Sequence, residues 1–396
     1  MNPDLERLQP YPFEKLHRLF ADVTPNADLP AISLGIGEPQ HPSPDFVVEA
    51  LRANLGLLAK YPATRGRPEL RQAIARWLEK RFQLAAVDEE SQVLPVTGTR
   101  EALFAFGQAV INRSRSPLVL GPNPFYQIYE GASLLAGAEM GLLDCRGDNG
   151  FIPDFDRVSD GDWQRCQLLF ICTPGNPTGA VMPLPVLRQL VELAQRHDFI
   201  IASDECYSEI YADETQPPPG LLQACESLGM DDYRRCVVFH SLSKRSNLPG
   251  LRSGFVAGDQ QVLKAFLRYR TYHGCAMPLQ HQWASVAAWS DEDHVRHNRE
   301  LYRQKFAAVI DILGNSLPVE SPAASFYLWP RTPIADTEFA RELYRREHLT
   351  VLPGRYLGRD NSRGNPGESH VRMALVAEQA QCEAAAQRIR RFCESL

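Results

Sequence analysis

The chain predicts an α/β protein: a mainly parallel sheet with helices on both faces, followed by a smaller mixed unit. Short, mostly apolar runs such as Leu168 to Cys172 and Phe199 to Ser203 have the length and composition of strands buried on both sides. Between them, Pro185 to His197 carries apolar residues at helical spacing, so strand and helix alternate. At 396 residues the chain is long enough for two domains and a large core.

Composition narrows the function classes. Hydrophobic residues make up 44% and charged ones 23%, an ordinary globular balance. A net charge of −6 and a pI near 6.0 leave no sequence-wide basic field for nucleic acid. No apolar run approaches membrane-spanning length, and the N-terminus carries Asp4, Glu6 and Glu14 in place of an apolar signal core. Nine cysteines, an odd number with no CxxC pair, read as small core residues, with Cys172, Cys206 and Cys236 in strand-like runs. A reducing cytoplasm is the expected compartment.

Taken in order, residues 1–45 are turn-rich, with Pro10, Pro12, Pro39, Pro42 and Pro44 bracketing the short run Ile32 to Ile36. Glu69 to Phe82 has helical periodicity through Leu70, Ile74, Trp77, Leu78 and Phe82. Gln92 to Val96 reads as a strand, Arg100 to Ile111 as a helix and Leu118 to Leu120 as a buried strand. Cys236 to Gly258 contains a buried run at Val237–Phe239, an abrupt polar turn, and a second apolar run from Gly254 to Ala257. The link between these runs is too short for a parallel crossover, so the second strand should return antiparallel and bring Arg252 beside Ser241 and Lys244. After Asp259 the chain is expected to be helical to about Asn315. It then forms strand Phe326 to Trp329, helix Asp336 to Glu347, strand His370 to Leu375 and helix Glu378 to Phe392. The N-terminal segment has too little apolar content to fold alone. The expected division is therefore a discontinuous small domain, 1–45 with 290–396, and a large domain, 46–289.

Ligands of open α/β sheets bind at the carboxyl ends of the strands, which makes the polar residues after each apolar run informative. Thr97-Gly98-Thr99-Arg100 opens a helix whose free N–H groups suit an anion, although in isolation a plain N-cap by Thr99 or Thr97 is the better explanation. Thr173-Pro174-Gly175-Asn176-Pro177-Thr178-Gly179 is a rigid loop presenting the Asn176 amide. Asp204 ends a buried strand, where a carboxylate is costly unless a cation faces it. His240-Ser241-Leu242-Ser243-Lys244 puts hydroxyls and an amine at another strand end; alone, it also reads as a solvated basic turn.

A phosphate cradle, an amide, a buried carboxylate, a phenol and a lysine together match the needs of pyridoxal phosphate. TPGNPTG, SDECYSEIY and SLSKRSNLPGLRSG, in this order and with Arg252 eight residues after Lys244, resemble the class I/II aminotransferases of the fold-type I pyridoxal-phosphate enzymes. The resemblance covers essentially the whole chain. It implies a large domain with a mainly parallel seven-stranded sheet, a smaller α+β domain from the two chain ends, and a homodimer with shared active sites. It makes Lys244 the Schiff-base lysine and proton carrier, Asp204 the partner of the pyridinium nitrogen, and Tyr207 and Asn176 ligands of the ring's phenolic oxygen. It gives Gly98, Thr99, Arg100, Ser241 and Arg252 to the cofactor's phosphate end. Tyr126 of PNPFYQIY would stack on the ring, or else be a core tyrosine. Tyr61 of KYPATRG would reach the partner subunit's phosphate. Arg372 of HVRMALV would clamp the substrate α-carboxylate, with Gly37 of GIGEP and Asn176 facing the same group. No metal is implied.

Within that family, SLGIGEPQHP, FHSLSKRSNLPG and RYRTYHGCAMP resemble the succinyldiaminopimelate aminotransferases of lysine biosynthesis, which move an amino group between N-succinyl-diaminopimelate and 2-oxoglutarate. Aspartate, aromatic and acetylornithine aminotransferases are alternatives, as is a lyase on the same cofactor, since fold does not settle reaction type. A non-catalytic sensor would need a DNA-binding extension, for which residues 1–30 are too short and acidic. The substrate's remote carboxylates call for further cations; Arg65, Arg245, Arg268 and Arg270 are the candidates, with plain surface solvation the alternative for each and expected for about half of them. Tyr272-His273-Gly274-Cys275 reads as a specificity or packing segment.

Overall fold

A computed structural model describes residues 1–396. Its strands, in chain order, are β1 (Ile32–Ser33), β2 (Val93–Val96), β3 (Leu118–Asn123), β4 (Glu139–Asp144), β5 (Cys166–Cys172), β6 (Ile200–Asp204), β7 (Cys236–Ser241), β8 (Gly254–Gly258), β9 (Tyr327–Leu328), β10 (Leu349–Thr350), β11 (Leu352–Pro353) and β12 (Val371–Ala374). Seven form one sheet in the order β2-β8-β7-β6-β5-β3-β4. The pairs from β7 through β4 are parallel, while β8 runs antiparallel to both its neighbours. This is the α/β class with a mainly parallel sheet, and β8 returns as the short link after β7 requires.

Apolar side chains fill both faces of this sheet. On one, Leu169, Ile171, Ile201 and Val238 pack with Leu70, Ile74 and Leu78 of the helix Pro68–Phe82 and with Leu187 and Leu190 of the helix Leu184–His197. On the other, Leu168, Phe170, Ala202 and Val237 meet Ala102 and Phe106 of the helix Thr99–Val110, and Phe266 of the helix Gln260–His273. Burying each such aliphatic or aromatic side chain contributes about 1.5–3 kcal/mol. The two-sided demand explains why these strands are unbroken apolar runs.

A third core belongs to the chain's two ends. β11, β12 and β9 form a three-stranded antiparallel sheet, and β1 pairs parallel with β10. Ile32 and Leu34 thereby join Phe326, Leu328, Val371 and Met373, which pack under the helices Asp336–Glu347 and Gln379–Glu394.

Two elements depart from expectation. β4 went unforeseen because it is the edge strand: its residues are mostly half-buried and Glu139 is exposed, so it carries no buried apolar run. Residues 1–45 are not only turns, since Pro12–Phe20 is a helix. Pro12 sits in its first turn, where a missing N–H costs nothing, so a proline that reads as punctuation is here a helix start.

Candidate active site

Register places the polar residues together. β5 and β6 align Cys172 with Asp204, β6 and β7 align Asp204 with Phe239, and β7 and β8 align Ser241 with Gly254. The carboxyl ends of three parallel strands therefore finish side by side, beneath a cavity of about 480 Å³. Its wall includes Lys244, Asp204, Tyr207, Asn176, Ser241 and Arg252 from the large sheet, and Gly37 and Arg372 from the chain-end unit. Thr99, Arg100 and Tyr126 line it as well.

Lys244 sits in a short helix, Leu242–Arg245, whose first turn is capped by the Ser241 hydroxyl accepting from Ser243 N–H at 3.0 Å. Its ammonium donates to the Gly37 carbonyl at 2.5 Å and lies 5.2 Å from the Phe326 ring centroid. Burial first, and then the nearby Arg372 and Arg100 charges, bring its pKa down to about 8.

Asp204 is buried with no arginine or lysine against it. Its Oδ2 accepts from the Tyr129 hydroxyl at 2.7 Å and its Oδ1 from Cys206 N–H at 3.4 Å. Burial raises its pKa, opposed by these hydrogen bonds. The sequence marks Asp204 but not Tyr129, which lies three residues after Tyr126 and is wholly buried and stacked on Phe170.

At the helix start, Gly98 has φ +95°, and a Cβ there would strike the Arg252 guanidinium. Arg252 is itself left-handed, with φ +53°, and donates to the Pro249 carbonyl at 2.7 Å. Thr99 Oγ1 lies 3.2 Å from Cys206 Sγ. Arg100 turns along the cavity wall: its Nε donates to the Tyr126 hydroxyl at 2.7 Å and its Nη2 to the Tyr11 hydroxyl at 3.4 Å. It has no carboxylate partner.

Arg372, on β12, is buried. It donates to Asn176 Oδ1 at 3.0 Å and to the Gly35 carbonyl at 2.9 Å, and its guanidinium carbon lies 4.5 Å from the Tyr327 ring centroid. Its Nε is buried without a partner. The Tyr207 hydroxyl is 3.0 Å from that of Tyr327, another residue sequence motifs left unmarked. Burial pushes the Tyr207 phenol well above its ordinary pKa.

The other expected arginines lie outside this cavity. Arg245 points away from Lys244 into the core beside Trp77 and Trp289 and pairs with Glu292. Arg270 is fully buried on Glu101 at 2.6 Å, and Arg65 pairs with Glu90 at 3.1 Å. Arg268 is exposed on the helix Gln260–His273. Adjacency in sequence misled for Arg245, since the helical turn directs neighbours to different sides. Tyr61 is fully exposed and also outside this cavity. In Tyr272-His273-Gly274-Cys275, Gly274 ends the helix at φ +77°, and burial pushes the Cys275 thiol up to about 11, too high for a nucleophile near neutrality.

Comparison with known proteins agrees with this geometry. The family described as aminotransferase class I and II matches residues 30–389. The chain belongs to the class I and II aminotransferases. An LL-diaminopimelate aminotransferase from Nitratidesulfovibrio vulgaris is 33% identical over 391 residues, 97% of each chain. A solved aminotransferase from Neisseria meningitidis is 50% identical with a TM-score of 0.95, covering 99% of this chain and 100% of that one. A probable N-succinyldiaminopimelate aminotransferase from Thermus thermophilus is 27% identical with a TM-score of 0.82, covering 92% and 95%.

Aminotransferases of this family use pyridoxal 5'-phosphate and pass an amino group between an amino donor and a keto acid. The residues present fit that cofactor. Asp204 is a buried carboxylate whose missing cation a protonated ring nitrogen would supply. Gly98, Thr99, Ser241 and Arg252 gather backbone N–H, hydroxyl and guanidinium donors around one end of the cavity, where a phosphate needs them. Lys244 stands between these groups with a depressed pKa. No helix of the protein is long and apolar enough to cross a membrane.

Proposed function

We propose that this aminotransferase takes the amino group of N-succinyl-L,L-diaminopimelate and gives it to 2-oxoglutarate, a step of lysine biosynthesis. The observation that carries the reading is a pair of arginines, Arg372 and Arg100, facing one cavity with no carboxylate on either. Arg372, forked and buried, suits the α-carboxylate common to both substrates. Arg100, held only by two phenols, suits a second carboxylate farther along the chain. Short mono-carboxylate donors would leave it unused.

The cofactor, when bound, supplies an aldehyde for covalent linkage and a ring that delocalises the electron pair left at the α-carbon. The chain does the rest. Asp204 would hold the ring nitrogen protonated, and the Tyr129 hydrogen bond opposes the rise in its pKa that burial causes. Asn176 and Tyr207 would hold the phenolic oxygen, Tyr126 would pack against the ring, and Gly98, Thr99, Ser241 and Arg252 would hold the phosphate. Lys244 moves the proton at the α-carbon, for which a pKa of about 8 leaves a useful neutral fraction near neutrality. Gly37 and Asn176 complete the carboxylate end with Arg372.

A second reading has its own support: the curated relatives at about a third identity are LL-diaminopimelate aminotransferases. That donor ends in an ammonium as well as a carboxylate, and Glu38 on the cavity wall would face it. Purified holoenzyme offered N-succinyl-L,L-diaminopimelate, free LL-diaminopimelate, acetylornithine, aspartate, an aromatic donor and alanine, each with 2-oxoglutarate, decides between them. The highest kcat/KM for the succinylated donor is expected; preference for aromatic or short donors overturns the reading.

The same reading makes the enzyme a homodimer. Leu58, Tyr61 and Tyr272 are bare on a single chain, being 68%, 102% and 88% exposed, and a partner subunit would cover them while receiving Tyr61 at its phosphate site. Mixing an inactive Tyr61 variant with an inactive Lys244 variant should restore part of the activity through hybrid dimers. Failure to do so despite subunit exchange removes the cross-subunit role.

A further inference from the structure

Residues 35–44 form the strap that carries Gly37 over Lys244. After Leu34, whose N–H donates to the Thr350 carbonyl at 2.8 Å, no backbone group pairs with another backbone group until the Pro44 carbonyl accepts from Val47 N–H. Side chains hold the strap instead. Arg372 donates to the Gly35 carbonyl, Lys244 to the Gly37 carbonyl, and His41 anchors the far end. A weaker fourth contact runs from the Ser43 hydroxyl to the Asn247 carbonyl at 3.3 Å.

Two of the three main anchors are groups the chemistry takes away. Arg372 must turn to the substrate carboxylate, and Lys244 to the cofactor. His41 has no such duty, and its partners are unusual. The Lys305 ammonium, only 2% exposed and without any carboxylate, lies 2.6 Å from His41 Nε2, and the Leu375 and Val376 carbonyls stand 3.4 Å away. On the other ring nitrogen, Nδ1 is 2.7 Å from Asn298 Oδ1. Asn298 also accepts from Asn247 at 2.9 Å and reaches the Lys244 backbone carbonyl at 3.5 Å. An ammonium facing Nε2 fixes the tautomer: Nε2 accepts, and Nδ1–H donates to Asn298. Burial lowers the His41 pKa, and the Lys305 charge lowers it further, which keeps the ring neutral as this pattern requires. The ring also packs on Tyr302, with centroids 4.7 Å apart.

We infer that His41 is a positioning residue for the substrate end of the site: through Lys305 and Asn298 it keeps residues 35–44 over Lys244 once Arg372 and Lys244 have turned to their ligands. The inference rests on the roles proposed above for those two residues. Without His41 the strap loses its remaining strong anchor, and substrate binding must order it again, which appears in KM more than in kcat.

The test uses holoenzyme. His41→Phe keeps the ring against Tyr302 but removes both polar contacts. His41→Phe with Lys305→Met also removes the buried charge left unpaired, so it remains informative where the single variant fails to fold. The double variant is expected to raise KM for the amino donor roughly tenfold, the scale of one lost charge-assisted hydrogen bond. It should change kcat by less than about threefold and leave the absorbance of the bound cofactor unaltered. His41→Gln, whose amide can accept from Lys305 and donate to Asn298, should bring KM back to within about threefold of wild type. An unchanged KM in the double variant, or a fall in melting temperature with normal kinetics, overturns the inference. Arg372→Ala separates the two claims: a normal KM there removes the proposed carboxylate clamp, whereas a raised KM there with a normal KM in the His41 variants removes only the inference.

Discussion

The two sides of the cavity are built in opposite ways. On the sheet side, Asp204, Asn176, Ser241 and Lys244 stand on or just past strands β5, β6 and β7, whose backbones are paired to neighbours on both edges. On the other side, Gly37 rides a strap with no backbone pairing, and Arg372 lies on β12 of a small three-stranded sheet. The side proposed to hold the cofactor is rigid by main-chain hydrogen bonds. The side proposed to take substrates is held by side chains that can be redirected. Lys244 touches both, through its own strand end and through its hydrogen bond to Gly37.

Breaking that junction should have the largest effect. Lys244→Ala removes the group proposed as both covalent partner of the cofactor and proton carrier, and turnover should fall by at least about 10⁴-fold, the upper range for a positioned acid–base group. Circular dichroism should show the fold intact, because the side chain adds little to the core. Near-normal amino transfer by the alanine variant would refute the mechanism.

Next come the arginines of the substrate side. Arg372→Ala should cost roughly 2–5 kcal/mol in kcat/KM for every amino donor, as expected for one partner of a buried charge pair. Arg100→Ala should weaken N-succinyl-diaminopimelate and 2-oxoglutarate while sparing alanine. Steady-state kinetics on the three substrates measures both, and equal losses on alanine would return Arg100 to the cofactor side.

How much of this contrast was legible in the sequence follows the same division. Strand ends announce themselves, because a two-sided buried strand is an apolar run and the polar residue after it is conspicuous; Asp204, Asn176 and Lys244 were all marked that way. Side-chain packing across the chain does not announce itself. Nothing near Arg245 in sequence reveals Trp77 or Trp289, which lie far from it along the chain, and Arg270 meets Glu101 only because two helices share a face of the sheet. Tyr129 and His41 were missed for a related reason: each matters through a partner distant in sequence, Asp204 and Lys305. β4 was missed because an edge strand needs no apolar run.

Asp204 sharpens the sheet side with a smaller effect. In apoenzyme it is a buried carboxylate with no cation against it, so Asp204→Asn should stabilise apoenzyme by about 1–3 kcal/mol while crippling holoenzyme. The sign with pH follows from its raised pKa. The folded state binds the proton more tightly than the unfolded one, so this group's penalty grows as pH climbs from the ordinary carboxylate value through the folded pKa and shrinks below it. Denaturant titrations should find the variant's advantage largest at neutral pH and vanishing in acid. A variant less stable than wild type in the apo form would mean that the carboxylate is satisfied without cofactor.

The smallest effect concerns when Lys244 is ready to react. Linkage to an aldehyde needs the neutral amine, and burial has brought this one down to about 8 with help from Arg372 and Arg100. The rate at which apoenzyme takes up pyridoxal phosphate should therefore rise with pH through a midpoint near 8 and level off above it. An ordinary lysine would still be climbing at pH 9. Arg372 is the proposed substrate clamp, yet its charge reaches across to tune the amine proposed to bind the cofactor. Arg372→Ala should move the midpoint upward, since removing a nearby positive charge makes the ammonium easier to keep. Stopped-flow absorbance on apoenzyme at constant ionic strength reads the midpoint directly. A midpoint that ignores Arg372 would leave burial and Arg100 as the causes, and would mean that Arg372 and Lys244 share the cavity without coupling by charge.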